Sequence, residues 1–200
     1  MPGVRSLRVA LALCLAPAAF ALEPGLPQRT HAVGGSLRLG LLRGEPARLE
    51  RDAGFGIGVS FAWYYRAGLA VLVQGDYDRF GSANDAGDQL TRTTFTAMQT
   101  LAMPLGRLLP WMGLGGGVGI GLFRTRDRDI VPKERTDTLP VIRWGAGLGL
   151  EVDRRVIVGV ACAYDWVFTG ASVDLPGSGG GDVIVFDDTF HLAAGVDYFF

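Results

Sequence analysis

Eight times after residue 31 the chain settles into a period of two, with large apolar side chains on one parity and small or polar ones on the other. The segments run from Ala32 to Leu42, Gly54 to Tyr64, Leu69 to Phe80, Thr91 to Met103, Leu109 to Phe123, Val141 to Val152, Arg155 to Phe168 and Thr189 to Phe200. A strand that alternates in this way separates two unlike surroundings. Each segment is at least as long as the roughly 9 to 11 residues that a tilted strand needs to cross a bilayer, whereas soluble strands average about five or six. The connections fall into two classes in strict alternation. Those after the second, fourth and sixth segments are tight (YRAG, PLGRL, VDRR), and those after the first, third, fifth and seventh are long and polar. Short turns at one end and long loops at the other fit an outer-membrane barrel with its turns in the periplasm. The expected fold is therefore all-β, an eight-stranded antiparallel up-and-down transmembrane β-barrel over residues 32–200.

The fifth segment contains WMGLGGGVGIGLF, whose glycines invite comparison with a phosphate-binding loop. A dinucleotide fingerprint needs glycines at relative positions one, three and six before a helix. Counting from Gly113, Gly115 or Gly117, the sixth position is Val118, Ile120 or Leu122. Alternation fits instead, with Gly113, Gly115, Gly117, Gly119 and Gly121 on one face and Met112, Leu114, Val118, Ile120 and Leu122 on the other. Glycine-rich faces suit the narrow interior of an eight-stranded barrel, which side chains of mixed size must fill.

Which face looks inward is settled by the charges. Arg38 shares its parity with Gly34, Ser36 and Gly40; Asp76 and Asp78 share theirs with Gln74; Arg143 and Glu151 share theirs with Gly145, Gly147 and Gly149. Bulky apolar residues such as Phe55, Ile57, Val59, Phe61 and Trp63 occupy the opposite parity, so lipid is expected outside and ionic groups inside. Strand four, TRTTFTAMQTLAM, shows the weakest contrast. Aromatic residues gather toward the strand ends, Trp63, Tyr64, Trp111 and Tyr198 at the turn end and Phe55, Tyr77, Trp144, Trp166 and Phe190 at the loop end, as two interfacial girdles would.

The N-terminus carries Arg5 and Arg8 before an apolar run from Val9 to Phe20, with Ala19 and Ala21 behind it. Residues 1–21 read as a secretory signal peptide cut after Ala21, followed by a short periplasmic segment over 22–31. The run is too short for a membrane helix, which needs about 20 apolar residues, and Leu13 before Cys14 does not suit lipidation. Removing the signal lowers the 19 basic residues to 17 against 20 acidic ones, a formal charge of -3. No basic footprint for nucleic acid is present. Cys162, the one cysteine left, has no disulfide partner.

The chain ends FHLAAGVDYFF, in which Phe190, Leu192, Ala194, Val196, Tyr198 and Phe200 alternate with His191, Ala193, Gly195, Asp197 and Phe199. Val196, Tyr198 and Phe200 resemble the signal read by the outer-membrane assembly machinery. With its eight segments and this ending, the chain resembles the small OmpA/OmpX-type outer-membrane barrels. That resemblance implies the outer membrane as its location and outer-membrane lipid, lipopolysaccharide and the assembly machinery as partners. Phe200 is the last residue, so a peptidoglycan-binding domain and a wall-anchoring role are not expected.

Hairpin counting through the turn at Asp153 sets Arg143 beside Tyr164 or Asp165, and the arms of the last long loop bring Asp165 near His191. Arg143, Asp165 and His191 are expected as a cluster near the outer rim, with Arg38, Asp76, Glu151 and Asp197 pointing inward lower down. Such charges are expected to pair and plug the lumen; exchange of pairs to open a narrow water path is the alternative. A lipid-modifying site is not expected. Deacylase-like barrels carry a serine two residues after the histidine, and Ala193 stands there after His191; the luminal charges do not suit the apolar cavity of a palmitoyltransferase-like barrel. His31 is placed at the periplasmic rim. No metal or other cofactor is expected: two histidines and a distant cysteine do not make a zinc set, and Asn84, Asp85 and Asp88 lack EF-hand spacing. The third long connection, Arg124 to Thr138, alternates arginines and acids that could meet lipopolysaccharide phosphates. The fourth holds DVIVF, an apolar run able to extend the strands and bind an extracellular partner through an open edge.

Overall fold

The computed structural model describes residues 31–42, 53–66, 68–80, 89–124, 134–168, 171–174, 182–186 and 188–200. The signal peptide, nearly all of the 22–31 segment, Asn84, Asp85 and Asp88, and the glycines at 179–181 lie outside them. Among the described residues there are ten strands: β1 (His31–Leu42), β2 (Ala53–Arg66), β3 (Leu69–Phe80), β4 (Gln89–Ala102), β5 (Leu108–Arg124), β6 (Glu134–Asp153), β7 (Val156–Val167), β8 (Ala171–Asp174), β9 (Asp182–Phe186) and β10 (Thr189–Phe199). Eight of them close an antiparallel barrel in the order β1-β10-β7-β6-β5-β4-β3-β2, while β8 and β9 pair with each other as a separate two-stranded sheet. The seam that closes the barrel joins β1 to β10 from Ala32↔Phe199 to Leu42↔Thr189.

The three short turns lie together at one end. Gly68 (φ 74°) and Gly106 (φ 65°) supply the left-handed backbone that two of them require, and the Asp153 carboxylate accepts a bond from the Arg154 N–H at 2.6 Å in the third. Alternation carries through every barrel strand. Leu37 is 72% exposed and Phe55 76% on the outside, while Arg38 and Gly54 beside them are buried. An apolar belt of this extent is untenable against water.

Strand four, the weakest in sequence, is regular: Leu90, Arg92, Thr94, Thr96, Met98, Thr100 and Ala102 all face inward and are buried. Two girdle assignments change. Tyr64 and Trp111 turn into the lumen and pack on an apolar cluster of Ala32, Ala62, Ala102, Leu109, Ile157 and Phe199. Tyr65, on the outward parity of Phe61 and Trp63, faces outside instead, with its ring 6.1 Å from that of Trp63. The third long connection is also shorter than expected. β6 begins at Glu134, and residues 134–140 pair with 118–124 of β5 well beyond the point where β7 ends opposite Val141. The run at Val183 to Phe186 forms β9 and does not lengthen the barrel strands.

The glycines make room for side chains arriving from neighbouring strands. A Cβ on Gly58 would sit 2.6 Å from the Asp76 carboxylate and 2.7 Å from the Ser36 hydroxyl, and one on Gly147 would lie 2.5 Å from the Trp111 indole nitrogen. At Gly117 the crowding is with backbone, 2.8 Å from the Cα of Thr96, so β4 and β5 approach too closely there for any larger residue.

Candidate functional site

Arg143 of β6 is fully buried at the centre of a luminal ion-pair network. Its Nε and Nη2 donate to the two Asp165 oxygens at 2.5 and 2.8 Å, the bidentate fork that guanidinium and carboxylate favour. Its Nη1 donates to Asp76 and, at 3.3 Å, to the Thr96 hydroxyl. Asp76 also receives Arg38, and the Gln74 amide at 3.0 Å. Arg92 donates to Thr189 Oγ1 at 2.6 Å and to Asp165 at 3.2 Å. His191 meets Asp165 through Nε2 at 3.1 Å. Its Nδ1 faces Asp78 at 3.9 Å, and the Arg38 Nε lies 3.8 Å from the same carboxylate. Those two distances are longer than hydrogen bonds, so the charge of Arg38 holds the Asp78 corner, and His191 adds to it only when protonated.

Three arginines thus meet three aspartates around one histidine, all buried, drawn from β1, β3, β4, β6, β7 and β10. The two barrel strands that bring no charge to the network, β2 and β5, bring glycine. Gly56 and Gly58 stand opposite Asp78 and Asp76, and Gly115 and Gly121 stand opposite Arg143 or Arg92. Such alignment is how a lumen this narrow admits three guanidinium groups at one level.

The apolar layers bound the network. Toward the loops, Phe80, Leu90 and Phe123 are cross-strand neighbours, buried together with Val141. Toward the turns lies a cavity of about 150 Å³ lined by Ser36, Ser60, Gln74, Thr100 and Asp197 among others, and by the Ala32–Phe199 cluster at its lower end.

Of the expected residues, Arg38, Asp76, Arg143, Asp165 and His191 come together. Arg38 and Asp76 join the outer cluster and do not sit lower down, because the stagger between strands raises them to the level of Asp165. Asp197 and Glu151 stay apart from it. Asp197 is hydrogen-bonded to Ser60 and lines the cavity, and Glu151 sits at the turn end, where its N–H donates to the Arg107 carbonyl at 2.8 Å. Arg92 and Asp78 complete the network without having been placed in it. Their inward parity was readable, but Arg92 reaches Asp165 and Thr189 across the lumen, which no hairpin count reveals.

Val196, Tyr198 and Phe200 all point outward. Phe200 stacks on His31 with ring centroids 5.8 Å apart, and Arg155 donates to the Tyr198 hydroxyl at 3.2 Å. Cys162 is a free thiol on the outward face. Outside the barrel, the charges of the β5–β6 hairpin bind each other, Arg124 with Glu134 at 3.0 Å and Arg135 with Asp137 at 2.5 Å. Among the described residues no three His, Cys, Asp or Glu side chains gather as metal ligands.

No protein-family model matches the chain, and no curated protein matches it. Solved structures do. Neisserial surface protein A is similar with a TM-score of 0.63 at 13% identity, covering 85% of this chain and 97% of that one. The outer membrane protein OprG of Pseudomonas aeruginosa gives 0.61 at 12%, covering 85% and 96%. Ail, the attachment invasion locus protein of Yersinia pestis, gives 0.52 at 12%, covering 86% and 97%. The stagger, closure and inward charge described above are set on the same frame, and this chain has the fold of the small eight-stranded outer-membrane barrels.

Proposed function

We propose that the chain is an outer-membrane β-barrel with a structural and surface-interaction role, non-catalytic, whose lumen is shut by its own ion pairs and whose contacts are made by what stands outside the membrane. The observation that carries this reading is the network itself. Three arginines and three aspartates fill one cross-section beneath the apolar layer of Phe80, Leu90, Phe123 and Val141, and opening a water path would break several buried pairs at once. The exposed apolar belt supports burial in lipid with lipopolysaccharide around the loop end. The outward Val196, Tyr198 and Phe200 support delivery by the outer-membrane assembly machinery. The role of Ail in attachment, as its name states, supports a surface-interaction role on this frame. His191 is spent on Asp165 and is followed by Ala193 where a paired serine would stand, which supports the non-catalytic reading.

Planar-bilayer recording tests the plug. The expected result is no sustained conductance from the purified barrel. Steady current through single barrels would replace this reading with that of a narrow pore, for which the cavity beneath the network would be the inner vestibule. Overproduction is expected to leave lipid A unchanged by mass spectrometry.

A further inference from the structure

Among the described residues, the part of β6 that stands beyond β7 has an unpaired edge. Residues 134–140 bond to β5 on one side, and on the other the last contact is the Phe168 N–H to the Pro140 carbonyl at 3.5 Å. Backbone groups of successive strand residues point to opposite sides. Pro140 faces β7, so the N–H and C=O groups of Thr138, Thr136 and Glu134 face the same open side. Among the described residues nothing pairs with them; β8 and β9, the nearest candidates in the chain, pair only with each other. An edge of this kind is a template for another strand.

Its sequence selects the occupant. Read outward from Thr136, residues 134–138 are ERTDT, with Arg135 and Asp137 flanking the centre on the inward parity. Antiparallel pairing with an identical edge, centred on Thr136, sets Thr136 against Thr136 and Glu134 against Thr138, all through the open backbone groups. The same register sets the Arg135–Asp137 pair of each copy against that of the other, so that each guanidinium meets a second carboxylate besides its own. Sliding by two positions sets Arg135 against Arg135 or Asp137 against Asp137, and parallel pairing in register does both. Like charges directly opposite are destabilising, and opposite charges are stabilising. One register and one direction therefore satisfy backbone and charge together.

Building on the outer-membrane reading above, we propose that this edge binds a second copy of the chain, antiparallel, through Glu134 to Thr138. A two-fold axis through Thr136 and normal to the sheet inverts one barrel relative to the other. Two copies in the same membrane cannot adopt that arrangement, whereas copies in two facing membranes can. The contact is thus a homotypic one between opposed surfaces. Seven strand residues rise on the order of 20 Å, so the two surfaces must approach closely and long surface sugars would prevent it.

The test uses the full barrel in liposomes free of lipopolysaccharide, with clustering followed by light scattering and insertion checked by heat-modifiable migration. Wild-type liposomes are expected to cluster. Arg135→Asp and Asp137→Arg each place like charges across the axis, so each alone is expected to lose clustering. Mixing the two populations restores opposite charges at both positions and is expected to restore it, which also shows that both variants are folded. Thr136→Pro, which removes a pairing N–H, is expected to abolish it. Inserted wild-type barrels that stay dispersed, single variants that cluster as well as wild type, or a mixture that stays dispersed would each overturn the proposal. Failure of the wild type to insert would overturn the membrane reading beneath it.

Discussion

Arg143 holds two carboxylates at once, and its removal leaves Asp76 and Asp165 buried with part of their countercharge gone. Breaking one partner out of a buried pair costs about 3 to 5 kcal/mol. Arg143→Ala is expected to lose stability on that scale, read from the urea midpoint of tryptophan fluorescence. Glycine sites are expected to divide sharply. At Gly117 any added carbon meets the Phe95 carbonyl and the Thr96 backbone, so Gly117→Val should prevent or severely weaken β4–β5 pairing. At Gly35, on the outer face, the nearest atom to an added Cβ is 4.0 Å away, and Gly35→Ala should leave the same midpoint within about 0.5 kcal/mol. The inward direction of the charges was legible because parity alone decides it. Their partners were legible only along hairpins: Arg143 with Asp165 follows from the turn at Asp153, whereas Arg92 with Asp165 depends on the barrel's radius and stagger.

At the scale of elements, the alternating segments could be read because each strand separates lipid from a packed lumen along most of its length. Where both faces meet water the signal fades. The outer third of β6, ERTDTLP, carries charge on both parities and a proline, and its strand character comes from pairing with β5. The ends of strands mislead for a related reason. Tyr64 and Trp111 look like girdle residues by position, but they keep the inward parity of Ala62 and Gly113 and pack on the apolar floor of the lumen. The tryptophans offer a direct check. Trp63, Trp144 and Trp166 are exposed on the outside, and Trp111 is not. In bilayers of brominated lipid a variant retaining only Trp111 is expected to keep its fluorescence, and one retaining only Trp144 or Trp166 is expected to be quenched. Cys162, on the outward face midway along β7, should resist a water-soluble maleimide in bilayers and react in urea.

For the molecule as a whole, the separation of β8 and β9 from the closed sheet means that the loop holding them is not part of the wall. Replacing residues 171–186 by a short polar linker is expected to leave heat-modifiable migration and urea stability unchanged, and a loss of either would show that this loop supports the barrel. Closure itself rests on the β1–β10 seam, whose partners come from opposite ends of the described chain. Contacts between such distant segments form slowly, because the intervening chain must first be ordered. Until the final strand arrives, every hairpin already made presents two raw borders and a hydrocarbon flank to its surroundings. A barrel sealed by its most remote pair is therefore most vulnerable in the interval just before completion, and an escort that shields the unfinished sheet would matter more to its yield than any gain in the finished fold.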